Sequence, residues 1–136
     1  MTKKNYLFIV LFMTLGLILV SCGGKEESVD HYPKAIIEAM IENDADLINE
    51  LCTGEALKDC LSGAEEAQKY TIKISDLQVL GITDTAADSK EIEFQFTYTQ
   101  EEKDKEGTPE EKEQKMFMRL KKVDNKWKIE RLDDTK

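Results

Sequence analysis

Between residues 31 and 68, apolar side chains recur every three or four positions, which is the spacing of one buried helix face. Pro33 suits the first turn of a helix, where its missing N–H is not needed. Asn43 and Asp44 interrupt the pattern, and aspartate is a residue type that caps a following helix well. A third helix is predicted after Gly54, ending near residue 63 or continuing toward residue 68. This part of the chain is therefore predicted to form three consecutive helices.

From residue 70 onward the apolar period changes to two, which is typical of strands with one buried face. Ile72 and Ile74 begin the alternation, and Leu77 continues it in shifted phase. This change of phase predicts a bulge or bend near Asp76.

The clearest strand covers residues 91–98, where polar and apolar side chains alternate at every position. The segments 81–89 and 100–113 are predicted to be a turn and a mobile charged connection, respectively. Alternation resumes at residue 116 and continues after a turn at Asp124-Asn125. The side chains predicted to share one sheet face are Ile92, Phe94, Phe96, Tyr98, Met116, Met118, Leu120, Trp127 and Ile129.

The loop length of the last hairpin decides which side chains lie opposite each other. A two-residue loop places Leu120 opposite Ile129 and Arg119 opposite Glu130, whereas a three-residue loop would pair Leu120 with Glu130. The two-residue loop is therefore predicted, and Asn125 tolerates the left-handed backbone that such a turn requires.

Helices followed by an antiparallel sheet of about four strands predict an α+β fold, with the helices packed on a curved sheet. The helical stretch with its Asn-Asp break, followed by strands that end in Val123–Ile129, resembles small bacterial lipoproteins with a nuclear-transport-factor-two-like (NTF2-like) domain. The resemblance covers about residues 31–133. It implies a cone-shaped domain, often with a pocket at its wide end. A cystatin-like sheet over one helix is the alternative fold, since it shares most of the topology.

The first 21 residues predict a secretory signal rather than a membrane span. Lys3 and Lys4 form a basic start, and the apolar run from residue 6 to residue 20 is shorter than the ~20 residues that cross a bilayer. Ser21-Cys22 at its end resembles the lipobox of bacterial lipoproteins. The resemblance implies that the Cys22 thiol receives a diacylglyceryl group and that Cys22 becomes the first mature residue. We therefore expect a signal peptide over 1–21, a tether over 22–30 and the folded domain over 31–136.

The tether carries two glycines and several charges, which predicts a flexible, solvated segment. Lys25 and the acidic pair that follows it resemble the tag that directs some lipoproteins to the outer cell surface in one Gram-negative phylum. The expected location is the bacterial outer membrane, and both the periplasmic face and the cell surface remain open.

The net charge of the chain limits the kinds of partner that it is expected to bind. Without the signal, about 115 residues remain, enough for one domain. They carry 17 basic and 28 acidic residues, a formal charge of −11. Such acidity argues against nucleic-acid binding and against attraction to anionic lipids. Contact with the membrane is therefore expected only through the lipid on Cys22.

Cys52 and Cys60 are the remaining cysteines, and they form either a disulfide or two unpaired buried thiols. One unbroken helix would separate them by ~12 Å, beyond the ~7 Å between Cα atoms that a disulfide allows. A disulfide therefore requires the chain to turn at Thr53-Gly54. Their spacing does not suit a redox motif, and with His31 as the sole histidine no metal site is predicted.

Enzymes that resemble this fold usually place an aspartate and a histidine or tyrosine inside the cone. The predicted inner face contains no acid and no histidine, so neither catalytic residues nor a cofactor is predicted. Aromatic and sulfur-containing side chains on this face form either a pocket or the core. The candidate pocket residues are Phe94, Phe96, Tyr98, Met118 and Trp127.

The preferred hypothesis is a lipid-anchored envelope protein that binds a small apolar ligand or another protein without catalysis. One alternative is a small isomerase or hydrolase that uses His31 with a neighbouring carboxylate such as Asp30. Another is an immunity or inhibitor protein whose acidic surface captures a basic partner.

Overall fold

The structure is a computed structural model and describes residues 28–103 and 107–134. The predicted signal peptide, Cys22 and most of the predicted tether lie outside these residues. Three helices precede a four-stranded antiparallel sheet whose strands lie side by side in chain order. The elements are α1 (Tyr32–Glu42), α2 (Ala45–Leu51), α3 (Gly54–Ala67), β1 (Tyr70–Ala86), β2 (Ser89–Glu102), β3 (Glu110–Val123) and β4 (Lys126–Asp133). The predicted α+β architecture is confirmed. In the described part of the chain, every helix is too short or too polar to cross a bilayer.

The helix boundaries follow from local chemistry. Pro33 lies in the first turn of α1, and Asn43 ends this helix in a left-handed conformation with φ of 54°. Asp44 then caps α2, because its side chain accepts a hydrogen bond of 3.2 Å from the backbone N–H of Leu47. The predicted break at Asn43-Asp44 is confirmed.

The connection between α2 and α3 also ties the helices to the sheet. Cys52 ends α2 in an extended conformation and pairs with Ile129 of β4 through a single parallel β-bridge. The next backbone N–H, that of Thr53, donates a 2.8 Å hydrogen bond to the Ile129 carbonyl. Gly54 then takes a φ of 59°, which few other residues adopt without strain. From there α3 runs to Ala67, the longer of the two predicted lengths.

Strand β1 pairs with β2 through a register that shifts three times, between Ile74 and Asp76, between Val79 and Gly81, and between Asp84 and Ala86. The predicted irregularity near Asp76 is confirmed. Each shift inserts one extra residue in β1. The first shift keeps Leu77 and Val79 on the inner face, where they pair with Phe96 and Phe94.

Two predicted loops are largely strand. The predicted turn over 81–89 is wrong because β1 continues to Ala86 and leaves only residues 87–88 in the turn. The predicted connection over 100–113 is also too long, since Gln100 pairs with Glu110. At both sites the backbone pairing between strands continues beyond the residues in which apolar and polar side chains alternate. Polar side chains are tolerated there because both faces of these strand ends are open to solvent.

The last hairpin has the predicted two-residue loop, and Asp124 and Asn125 both have positive φ, 51° and 64°. Leu120 pairs with Ile129 as predicted. Arg119, however, pairs with Arg131 instead of Glu130, because the register shifts between Arg119 and Leu120.

This shift has a hydrophobic cause. It turns Leu132 toward the inner face, where Leu132 pairs with the fully buried Met118. Burial of an apolar side chain outweighs one exposed charge pair, which contributes about 1 kcal/mol at most.

The core lies between the helices and the inner face of the sheet. Alanines at buried helix positions allow close packing, and strand residues fill the centre. The fully buried members are Ile36, Ala39, Ile48, Ala56, Ala64, Ile92, Phe94, Met118, Leu120 and Ile129, each with 0% exposure.

Candidate functional site

A cavity of about 410 Å³ lies between α1, α3 and the first three strands. Most of its wall is apolar. Helix α1 contributes Ile37, Met40 and Ile41, and the sheet contributes Ile72, Ile74, Phe96 and Tyr98.

Small residues on α3 leave room for this cavity. Gly63 and Ala67 line it from the helix side. At Gly63 the helices lie so close together that a Cβ atom would be 2.5 Å from the terminal methyl carbon of Met40. A larger side chain at this position would therefore push Met40 aside.

Polar side chains line the rest of the cavity: Glu66, Tyr70, Tyr98, Gln100 and Gln114. Glu66 is largely exposed and forms a 3.1 Å ion pair with Lys69. The side chains of Tyr98, Gln100 and Gln114 make no hydrogen bond to another described residue. They are consequently able to donate and accept hydrogen bonds to a bound molecule.

The five predicted pocket residues separate into two groups. Phe96 and Tyr98 line the cavity, with their ring centroids 5.4 Å apart. Phe94 and Met118 are fully buried, and Trp127 is 4% exposed; all three belong to the core and none is among the lining residues. The helices cover the inner face of the sheet at Phe94, Met118 and Trp127. Alternation along the strands therefore predicts correctly that the five side chains share a face, but it does not predict which of them line the cavity.

Trp127 lies in an environment that the sequence did not suggest. The ammonium groups of Lys90 and Lys122 lie 5.3 and 5.5 Å from its ring centroid, within the range of cation–π attraction. Lys90 is itself buried and forms a 2.7 Å ion pair with Asp84. These contacts join β2 and β3 to the Trp127 ring on β4, and the ion pair adds the end of β1. We therefore assign Trp127 a structural role.

The residues of the enzyme hypothesis do not line the cavity. His31 is exposed at the start of α1, with its ring centroid 4.7 Å from that of Tyr32. Asp30 is also exposed and accepts a 2.7 Å hydrogen bond from the Ser28 hydroxyl. Neither side chain is positioned to act on a molecule bound in the cavity.

Cys52 and Cys60 are both thiols in this structure and are 2% and 1% exposed. Both belong to the same buried core cluster. Interaction with the Cys60 thiol raises the pKa of Cys52, and burial raises it further. The same interaction lowers the pKa of Cys60, against the opposing effect of burial.

Sequence comparison gives no match to any protein-family model and none to a curated protein. Solved structures do match. A ketosteroid isomerase-like protein from Erwinia carotovora atroseptica is 12% identical with a TM-score of 0.65, and the match covers 76% of this chain and 89% of that one. An NTF2-like superfamily protein from Salmonella enterica serovar Typhimurium is 12% identical with a TM-score of 0.58, covering 79% and 89%.

A third match is the intermembrane space region of the chloroplast protein ARC6. It is 14% identical with a TM-score of 0.58, and the match covers 81% of this chain and all of that one. At such identities the likeness establishes the fold and not the activity. The three helices packed on a curved four-stranded antiparallel sheet thus have an NTF2-like fold.

Proposed function

We propose that this chain is a lipid-anchored envelope protein whose NTF2-like domain binds a small apolar ligand without catalysis. The observation that carries the proposal is the apolar cavity between α1, α3 and the sheet.

The cavity has the dimensions and chemistry of a ligand site. Its volume of about 410 Å³ is within the range of small-molecule pockets, which is roughly 300–1,000 Å³. Transfer of apolar surface into such a site contributes about 25 cal/mol per Å². Tyr98, Gln100 and Gln114 supply the few polar contacts that orient a ligand within an apolar wall.

The lining residues favour binding over catalysis. Among the described residues that line the cavity, only Glu66 is charged at neutral pH. Its carboxylate is exposed and paired with Lys69. General acid–base catalysis needs a titratable group held against the substrate and free to exchange a proton with it. Glu66 does not meet this requirement, which supports a carrier or sensor of an apolar molecule.

A substitution that fills the cavity tests the proposal. All described core residues lie between Val29 and Leu132, so a soluble form covering residues 28–136 is suitable. We expect it to bind the neutral fluorophore N-phenyl-1-naphthylamine saturably, with one site per chain. Ala67→Phe should weaken this binding at least tenfold, which corresponds to about 1.4 kcal/mol.

The matched control is Ala45→Phe, which makes the same change at an exposed helix position outside the cavity. Thermal unfolding monitored by circular dichroism shows that each variant is folded. Absence of saturable binding, or equal weakening by both variants, would contradict the proposal.

A further inference from the structure

We infer that Cys52 and Cys60 form an intramolecular disulfide when the chain folds in a thiol-oxidising compartment. The bridge would join the end of α2 to the middle of α3. Formation of this disulfide in the cell rests on the proposed envelope location. The positions of the two cysteines do not depend on the proposed ligand site.

The fold brings together two cysteines that a single helix would keep apart. Cys52 has left the helical conformation, with φ of −116° and ψ of 158°. Gly54, with φ of 59°, then redirects the chain into α3. The buried face of α3 presents Cys60 toward this corner, and both thiols are buried in the same core cluster. The corner thus supplies the change of chain direction that a disulfide with an S–S bond of ~2.05 Å requires between these two positions.

The corner is already held in position by the sheet. The backbone β-bridge between Cys52 and Ile129, together with the hydrogen bond from the Thr53 N–H to the Ile129 carbonyl, fixes the backbone next to Cys52. On the other side, Cys60 shares the buried face of α3 with Ala56 and Ala64. A disulfide formed here is shielded from solvent, so it forms during folding and resists reductants in the native state.

The oxidant is an external disulfide, such as that of a disulfide-bonded thiol oxidoreductase. During folding, the thiolate of Cys60 attacks one sulfur of this disulfide and displaces the other as a thiol. The thiolate of Cys52 then attacks the Cys60 sulfur of the mixed disulfide and releases the second thiol. Two electrons and two protons pass from the protein to the oxidant.

Peptide mapping tests the inference on the full chain purified from membranes. Free thiols are first alkylated with iodoacetamide under denaturing conditions, without reductant, and the protein is then cleaved with trypsin. Lys58 lies between the two cysteines, so Cys52 falls in peptide 35–58 and Cys60 in peptide 59–69. We expect a linked pair of these peptides, 2 Da lighter than the sum of the free peptides, which separates when reductant is added.

A second sample is unfolded, reduced and refolded in a glutathione redox buffer. If the linked pair forms there but not in the protein from cells, the proposed location is contradicted and the bridge itself is supported. If both cysteines are alkylated in both samples, the disulfide is overturned.

Thermal unfolding provides an independent readout. Closing this short loop reduces the entropy of the unfolded chain, so the oxidised protein should melt roughly 10 °C above the reduced protein. Cys52→Ser and Cys60→Ser control for packing, because each should melt at the same temperature with and without reductant. Equal melting of the oxidised and reduced wild-type protein would overturn the inference.

Discussion

Tyr32 connects the first helix to the last strand. Its buried hydroxyl donates a 2.8 Å hydrogen bond to the backbone carbonyl of Trp127, which is 95 positions later in the chain. The indole ring of the same tryptophan contacts the ammonium groups of Lys90 and Lys122. This part of the core is therefore held by directional contacts in addition to apolar burial.

Tyr32→Phe should lower the free energy of unfolding by about 1 kcal/mol, because it removes a buried hydrogen bond and leaves the Trp127 carbonyl without its partner. Tyr98→Phe is the matched control, since the Tyr98 hydroxyl makes no hydrogen bond to another described residue. Urea denaturation measures the free energy of unfolding of both variants. Equal destabilisation by the two substitutions would contradict a specific role for the Tyr32 hydroxyl.

The buried Lys90 shows what residue-level reasoning from sequence cannot provide. Alternation along β2 gives no reason to bury a lysine. Its burial becomes favourable only when Asp84 from β1 and the ring of Trp127 from β4 surround its ammonium group. The partners are distant in sequence, and a single sequence does not indicate that they meet.

At the scale of elements, turn chemistry was the most reliable guide. Aspartate and asparagine tolerate left-handed backbone, and both residues of the β3–β4 turn adopt it. The pairing of Leu120 with Ile129 follows directly from that turn. Beyond this pair, the prediction failed at Arg119 because the bulge that buries Leu132 has no signal of its own in the sequence.

Asn125→Ala should destabilise the domain by about 1 kcal/mol, because alanine pays a steric penalty at a φ of 64°. Asn125→Gly, which carries no such penalty, should leave stability within a few tenths of a kcal/mol of wild type. The difference is measured by denaturant unfolding of the two variants. If alanine and glycine are tolerated equally, the left-handed turn does not limit stability.

At the scale of the whole molecule, the sequence was sufficient for the fold class but not for the cavity. The hydrophobic periods specify helices, strands and inner faces, and these determine the α+β architecture. The cavity depends on where helices stop covering the sheet. Ile41, Gly63 and Ala67 therefore belong to its wall although nothing in their local pattern marks them.

The proposed anchor would hold this domain close to a membrane. Seven residues take the chain from Cys22 to Val29, the first buried residue of the described domain. Such a segment spans at most roughly 25 Å. On this proposal, ligands would reach the cavity from the layer of solvent next to the lipid headgroups.

Cys22→Ala should abolish stable membrane association of the mature protein, because two or three acyl chains supply about 0.8 kcal/mol for each buried methylene. Cys60→Ala is the control, since it also removes a thiol but leaves Cys22 intact. Fractionation after an alkaline carbonate wash measures the outcome, with any uncleaved precursor separated by mass. Equal membrane retention of both mature variants would refute the anchor.

The three register shifts in β1 have a consequence for behaviour in a crowded layer. β1 lies at one edge of the sheet and is 17 residues long, with Leu80 and Ile82 exposed along it. A straight strand of this length would offer neighbouring molecules an uninterrupted row of amide and carbonyl groups. The irregularities divide that row into short, misaligned pieces, so chains concentrated on a surface should resist joining edge to edge into larger aggregates.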